Sequence, residues 1–448
     1  MSKPKINRIW IIPVLILACA GLYFLPPIHN RLAWRLDFAR TQIKYFLRPP
    51  DQAVFLPTQQ AAIDQIVNAT MLAHATQAAA APQARFTATR PAPTTRPTAT
   101  VTPLPQEVIL DGVLYIDQTG GFNLCAPSNL AMALKFWNWK GTRDEIIRVV
   151  KPGENNASKN DLERGRADLN VMPYELVDFV NNHTEFRALQ RSGGDVGVLR
   201  SLVAAGFPPV VEKGIYERDV AGKTSWMGHY QFVTGYDDAA QEFIVQDTYE
   251  KGANYHLSYD VLEEEWLSFN RLFYVVYPVE REAELMIALG PYADTQWANT
   301  RALELAQEDT SRLQGVPLFF AWFSKGTSLV GAQSYVDAAH AFDQAFAVYS
   351  QLDPNYSTRP WRMMWYQTGP YWAYYYAGRY QDVLNLANFT LDETSGKPTL
   401  EESLYWRGLA KYALGDIAGG IEDVRRSIYY NKNFSAGVSK LQEWGVIP

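Results

Sequence analysis

The segment TQAAAAPQARFTATRPAPTTRPTATVTPLP at residues 76–105 does most to restrict how this chain can fold. Its alanines, threonines and prolines carry no apolar periodicity, and such a stretch cannot bury enough surface to offset the entropy lost on ordering. A semi-extended stalk is therefore expected there, with the folded units beyond it. Before it stands IWIIPVLILACAGLYFLP at residues 9–26, uncharged and preceded by Lys3, Lys5 and Arg8. That run reaches the low end of a membrane-spanning helix and is longer than the apolar core of a cleaved signal. A tail and retained single-pass transmembrane anchor are expected over residues 1–26, with cleavage or lipidation at Cys19 as the alternative. Residues 31–48, RLAWRLDFARTQIKYFLR, read either as a basic amphipathic helix on an anionic membrane surface or as a plain juxtamembrane helix. With the stalk they make up residues 27–106. Positive charge is balanced across the span and does not set its orientation. The stalk composition points to a cell-membrane protein whose folded part is extracytoplasmic.

The chain has 448 residues, enough for two or three domains, and its 41 Lys and Arg against 47 Asp and Glu include no basic block. A nucleic-acid partner is not expected. Two cysteines, Cys19 and Cys125, so differently placed form no disulfide framework. No cofactor and no metal are expected.

From residue 107 the pattern changes. EVILDGVLYIDQ alternates like a strand, and Gly120 and Gly121 open a loop before Cys125. Pro127 suits a first helical turn, and Leu130, Ala133, Leu134 and Trp137 follow at helical spacing. Cys125 thus falls at a helix N-terminus, where the macrodipole and free amides favour a thiolate. The alternative is a small buried hydrophobe. Of the histidines, His183 lies in a polar helix end and His256 in a plausible strand. His229 opens GHYQFVTGYDD, an alternating strand that turns into the return strand QEFIVQDTY with Asp247 at its end. Such a hairpin lays His229 and Asp247 at the same end of neighbouring strands, where an acid can orient an imidazole.

The pieces DQTGGFNLCAPSNLAMALKFW, GHYQFVTGYDD and FIVQDTY resemble the papain-like cysteine peptidases of the bacteriocin-leader-processing, or double-glycine, type, in their stand-alone bacterial relatives. The resemblance covers about residues 107–280. It implies an α+β papain-like peptidase domain in which Cys125 is the nucleophile, His229 the general base and Asp247 its orienting group. Gln118, seven residues before the cysteine, matches the oxyanion-hole donor, with the Cys125 amide as its partner. Two positions depart from the pattern: Ala126 replaces a glycine after the cysteine, and Thr248 replaces the proline that often follows the aspartate. Relatives of this type cut after two glycines. The pairs Gly120-Gly121 and Gly193-Gly194 in this chain read as turns.

Beyond residue 281 strand signals stop and three alanine-rich helical segments echo one another. Gly378 and Gly415 stand 37 residues apart, close to the 34 of a tetratricopeptide unit. Trp406, Gly415 and Ile417 sit roughly where that pattern places Trp, a small residue and Tyr, and Tyr380 and Tyr335 fill the last position in the other copies. Residues 281–448 are therefore expected to be an all-α, tetratricopeptide-like domain. The aromatic run PWRMMWYQTGPYWAYYYAGRY serves inter-helix packing, with any surplus available as a groove for a peptide or protein partner. The functional expectation is a membrane-anchored cysteine peptidase acting on a peptide or protein substrate. The alternatives are a papain-like acyl or peptidyl transferase, using the same residues, and a non-catalytic peptide-binding adaptor.

Overall fold

The computed structural model describes residues 21, 23, 26–57, 103–119, 123–153, 161–165, 168–219, 222–395 and 400–448. Nearly all of the expected anchor at 9–26, most of the stalk and the Gly120-Gly121 pair lie outside the described residues. Among those described, no helix is long and apolar enough to cross a membrane.

The central element is an antiparallel sheet. Its strands are β1 (Glu107–Ile109), β2 (Arg187–Arg191), β3 (Pro209–Arg218), β4 (Thr224–Asp237), β5 (Glu242–Gln246), β6 (Tyr255–Ser258) and β7 (Phe273–Tyr277), in the order β2-β7-β3-β4-β5-β6. Strand β4 is 14 residues long and serves three partners. It pairs with β3 along residues 224–232, with β5 beyond that, and with β1 at Gly235 to Asp237, where β3 has ended. The expected strand from 107 to 118 is realised only over Glu107–Ile109, because Gly112, at φ +79°, turns the chain away from β4. The Gly193-Gly194 pair lies at a bend after β2, with Gly193 at φ +71° and packed against the Ala302 backbone, and its amides bond to the Asn270 and Arg271 carbonyls.

One face of the sheet carries Val210, Tyr230, Phe232, Tyr274 and Val276, and packs on helix α2 (Cys125–Phe136), α3 (Arg143–Val150) and α5 (Pro173–His183); the short α4 (Asp161–Gly165) adjoins α3. The other face, with Val211, Val233, Phe243, Val245 and Val275, is covered by α6 (Val196–Ala204), α7 (Tyr259–Trp266) and α8 (Glu282–Leu289). Helix α8, Tyr292 and Ala298 thus complete the sheet's own core, and position 281 does not separate two cores.

The helical region continues through α9 (Thr295–Arg312), α10 (Gly315–Gly331), α11 (Tyr335–Gln351), the short α12 (Met363–Tyr366), α13 (Gly369–Tyr376), α14 (Tyr380–Asn388), α15 (Glu401–Ala413), α16 (Ile417–Tyr430) and α17 (Ser435–Glu443). Helices α10–α11, α13–α14 and α15–α16 form three consecutive hairpins. Their turns are alike. Gln333, Gly378 and Gly415 have positive φ of 58°, 75° and 95°, and Tyr335, Tyr380 and Ile417 each begin the second helix. Most of the aromatic run is packing: Trp361, Trp365, Tyr371 and Tyr374 are buried, whereas Trp372 and Tyr376 are exposed.

A third core unites this region with the sheet. Trp226 of β4 and Leu267 and Phe269 after α7 are buried among Phe319, Phe320 and Phe323 of α10 and Met363 and Trp365 of α12. Arg362 reaches across to the Ser225 hydroxyl, the Trp226 carbonyl at 3.2 Å and Asp219 at 2.8 Å, and Gln367 donates to the Ser268 carbonyl. Part of the segment read as helix and stalk docks here as well. The helix expected at 31–48 is α1 (Pro26–Leu47), whose last turn is held by Lys44 to the Ser395 carbonyl and Tyr45 to the Thr394 carbonyl, at 2.8 and 2.7 Å. Arg359 binds the Asp51 carbonyl, and Phe55 is buried against Phe346 at 4.9 Å between ring centres.

Candidate active site

Asn123, in the left-handed region at φ +53°, turns the chain into α2 and is fixed by its side-chain amide on the Leu169 carbonyl, 2.8 Å away. No side chain caps the first turn of α2, so its amides remain available at the position of Cys125. Ala126 is buried at the foot of this helix, and α2 begins at Cys125 without irregularity. Asn129 ties the helix to the sheet, donating to both the Cys125 carbonyl at 2.9 Å and the Tyr230 carbonyl at 2.8 Å.

His229 projects from β4 beside the cysteine and is itself buried. Its Nε2 donates to Asp247 Oδ2 at 3.2 Å. The Cys125 thiol and the same imidazole act on each other, each moving the other's pKa, and with Nε2 on Asp247 the ring nitrogen left for sulfur is Nδ1. Asp247 stands just after β5 and accepts from four donors. Gln231 Nε2 reaches Oδ2 at 2.7 Å, beside His229, while the amides of Tyr249 and Lys251 reach Oδ1 at 2.9 and 3.2 Å. The carbonyl of Asp247 accepts from the Tyr115 hydroxyl at 2.8 Å. Each carboxylate oxygen is thereby fixed, and so is the plane of the imidazole.

The electrostatics follow from these contacts. Burial pushes the Cys125 thiol up, but the hydrogen bond and charge of His229, with the amides of Tyr230 and Ala126, outweigh it and hold the thiol below its ordinary value. Burial works against charge on His229, yet its bonds to Asp247 and Cys125 carry its pKa up to about 9. Burial raises Asp247, and His229, Gln231 and the Tyr249 amide more than reverse this, so its carboxyl lies well below the usual range. All three shifts favour a thiolate–imidazolium pair backed by a carboxylate.

Gln118 is brought to the same place. Its amide donates to the Thr248 carbonyl at 3.1 Å, and the Thr248 hydroxyl donates to its Oε1 at 2.9 Å. The preceding residue is tied to α2 through Ser128 Oγ on the Asp117 carbonyl, 2.9 Å away. The other histidines of the middle region stand apart. His183 stacks on Phe179 at the end of α5, and His256 lies on β6 with Glu242 at 3.0 Å. Among the described residues no group of His, Cys, Asp and Glu could hold a metal ion.

Two neighbours of the site are not among the site residues read from the sequence. Gln231 contacts Asp247 through the β4–β5 pairing, and alternation alone could have suggested it, since it lies two residues from His229 on the same strand. Tyr366 comes from the helical region and lies against Gly228, the residue before His229. A Cβ at Gly228 would stand 2.8 Å from both the Phe269 and Tyr366 rings. Gly228→Ala is therefore expected to destabilise the fold by about 1–3 kcal/mol and to displace His229. Urea denaturation together with the rate of Cys125 alkylation checks both effects.

A model of the Peptidase_C39 like family matches residues 99–274, the part of the chain that carries Gln118, Cys125, His229, Gln231 and Asp247. This part is thus similar to a family of cysteine peptidases. Among solved structures, a protein from Bacillus anthracis described as a C39-like peptidase aligns over 39% of this chain and 98% of its own, at 16% identity and a TM-score of 0.30. Xylellain, a cysteine protease from Xylella fastidiosa, aligns over 40% of this chain and 87% of its own, at 14% identity and a TM-score of 0.28. No curated protein gives a significant match.

Proposed function

We propose that this chain is a cysteine peptidase that hydrolyses a peptide bond through Cys125, His229 and Asp247, with Gln118 as oxyanion donor. The observation that carries this reading is that His229, its Nε2 on Asp247 at 3.2 Å, interacts with Cys125 at the start of a helix. In the resting site His229 holds the thiol's proton on Nδ1, and Asp247, as carboxylate, accepts a hydrogen bond from Nε2–H. The thiolate attacks the substrate carbonyl, and the negative charge that develops on oxygen is met by the Gln118 side-chain amide and the Cys125 backbone amide. Imidazolium then protonates the departing amine, and water releases the acyl group with His229 as base.

The three similar turns before Tyr335, Tyr380 and Ile417 support reading the helical hairpins as tetratricopeptide-like repeats that bind a protein or peptide partner. The hydropathy of residues 9–26 supports a membrane tether, with the peptidase domain outside the cytoplasm. Substrates of the double-glycine class are those the sequence resemblance favours.

A peptide library incubated with the chain tests the proposal. New N-termini are expected from the wild type and none from Cys125→Ala, with paired glycines preceding the cut. Hydroxylamine captured in place of water in most products would indicate a transferase instead. Rate should also depend on pH in a defined direction. The lowered Cys125 pKa and raised His229 pKa mean that the ion pair forms below the ordinary thiol range and is lost as pH rises through about 9. The profile of kcat/KM should therefore be a bell whose alkaline limb lies near pH 9.

A further inference from the structure

We infer that Thr248 is a positioning residue that sets the orientation of the Gln118 carboxamide; this rests on the cysteine-peptidase reading above. A carboxamide has an acceptor end and a donor end of nearly the same shape, and its terminal torsion is broad and roughly two-fold. Only the N–H end stabilises an oxyanion. The oxygen end, turned to the same point, opposes it.

The backbone around Gln118 is already fixed from both sides. The Asp117 carbonyl accepts from Ser128 Oγ at 2.9 Å and Arg143 Nη1 at 2.6 Å, and the Gln118 amide binds the Thr248 carbonyl at 3.1 Å. What remains free is the side chain, and the Thr248 hydroxyl engages its Oε1 at 2.9 Å. That leaves both Nε2 protons for another acceptor. Gln118 is half-buried, and Thr248 is buried, so its hydroxyl is shielded from solvent. It also follows directly on Asp247, so one dipeptide orients both the base and the oxyanion donor. A proline at this position could offer no hydroxyl. The residue that departs from the sequence pattern thus has a function of its own in this chain.

The test separates attack on a carbonyl, which develops an oxyanion, from attack on a saturated carbon, which does not. Acylation is followed as the p-nitrophenol burst from p-nitrophenyl acetate, a small ester that needs no specificity pocket. Alkylation is followed with iodoacetamide. Thr248→Val keeps the shape and removes the donor. Its burst rate constant is expected to fall about tenfold or more, with the alkylation rate and its pH profile unchanged. Thr248→Ser should stay within about threefold of wild type, and Thr248→Val should add nothing in a Gln118→Ala background. An unchanged burst in Thr248→Val overturns the inference. So does a parallel fall in burst and alkylation, which would mean that the change acts on Cys125 or His229. A wild-type protein without any Cys125-dependent burst overturns the peptidase reading itself.

Discussion

Replacement of His229 by alanine should lower kcat/KM by roughly a thousandfold or more, an effect second only to loss of Cys125. In the proposed mechanism the imidazole has two tasks. It holds the thiol's proton before attack, and it returns a proton to the leaving amine. Alanine removes both, and it removes the hydrogen bond and charge that hold the Cys125 thiol below its ordinary value. Burial, which pushes the thiol up, is then unopposed by its main counterweight. The thiolate fraction at neutral pH should fall with the rate. Asp247→Asn should cost less, because in that mechanism Asp247 orients the base without touching substrate. Gln231 Nε2 and His229 Nε2 already converge on one oxygen, which an asparagine carbonyl can occupy. Steady-state rates of the three variants on one peptide, ordered Cys125→Ala, His229→Ala, Asp247→Asn from least to most active, check this.

A chain ending at residue 281 should fail to fold cooperatively. This is the second large effect, and it follows from where the cores lie. Such a chain loses α8 with Leu285 and Leu289, which cover one face of the sheet, and it uncovers Trp226, Leu267 and Phe269. Full burial of each large apolar side chain contributes roughly 1.5–3 kcal/mol, so five of them amount to about the whole stability of an ordinary domain. Arg362 also leaves, and with it the bonds that hold Ser225, Trp226 and Asp219 at the start of β4. His229 is three residues further along that strand than Trp226. Circular dichroism and thermal melting of the truncated and full chains check this. A sharp transition in the short chain, with Cys125 still reactive, would contradict the shared core. The helical region is thus part of the scaffold of the site.

What could be read from the sequence was local or periodic. Cys125 at a helix start follows from Pro127 and the spacing of Leu130, Ala133 and Leu134. His229 and Asp247 on neighbouring strands follow from alternation and a short turn, and β4 and β5 lie as that pattern implies. What could not be read depends on contacts distant in sequence. Nothing near Gln118 announces Thr248, 130 residues away, and the aromatic run at 361–376 does not say that Trp361 and Trp365 pack while Trp372 stays outside. The alternation from 107 to 118 suggested a long strand, yet only three residues pair, since β3 occupies the remainder of that edge of β4. Composition marked 76–105 as unable to pack, but not that residues 44–55 before it would seat Tyr45 and Phe55 against the helices.

The central claim is that Cys125 and His229 form an ion pair, and the pH dependence of Cys125 alkylation measures it most directly. Iodoacetamide rates are taken from pH 4 to 10 on the full chain and on His229→Ala. The account predicts a thiolate that appears well below the free-cysteine value of about 8.5, with a second transition near pH 9 as His229 loses its proton. In His229→Ala the first transition should move above 8.5 and the second should vanish. A single transition at or above the free-cysteine value in both proteins would contradict the ion pair, and with it the assignment of Cys125 as a nucleophile.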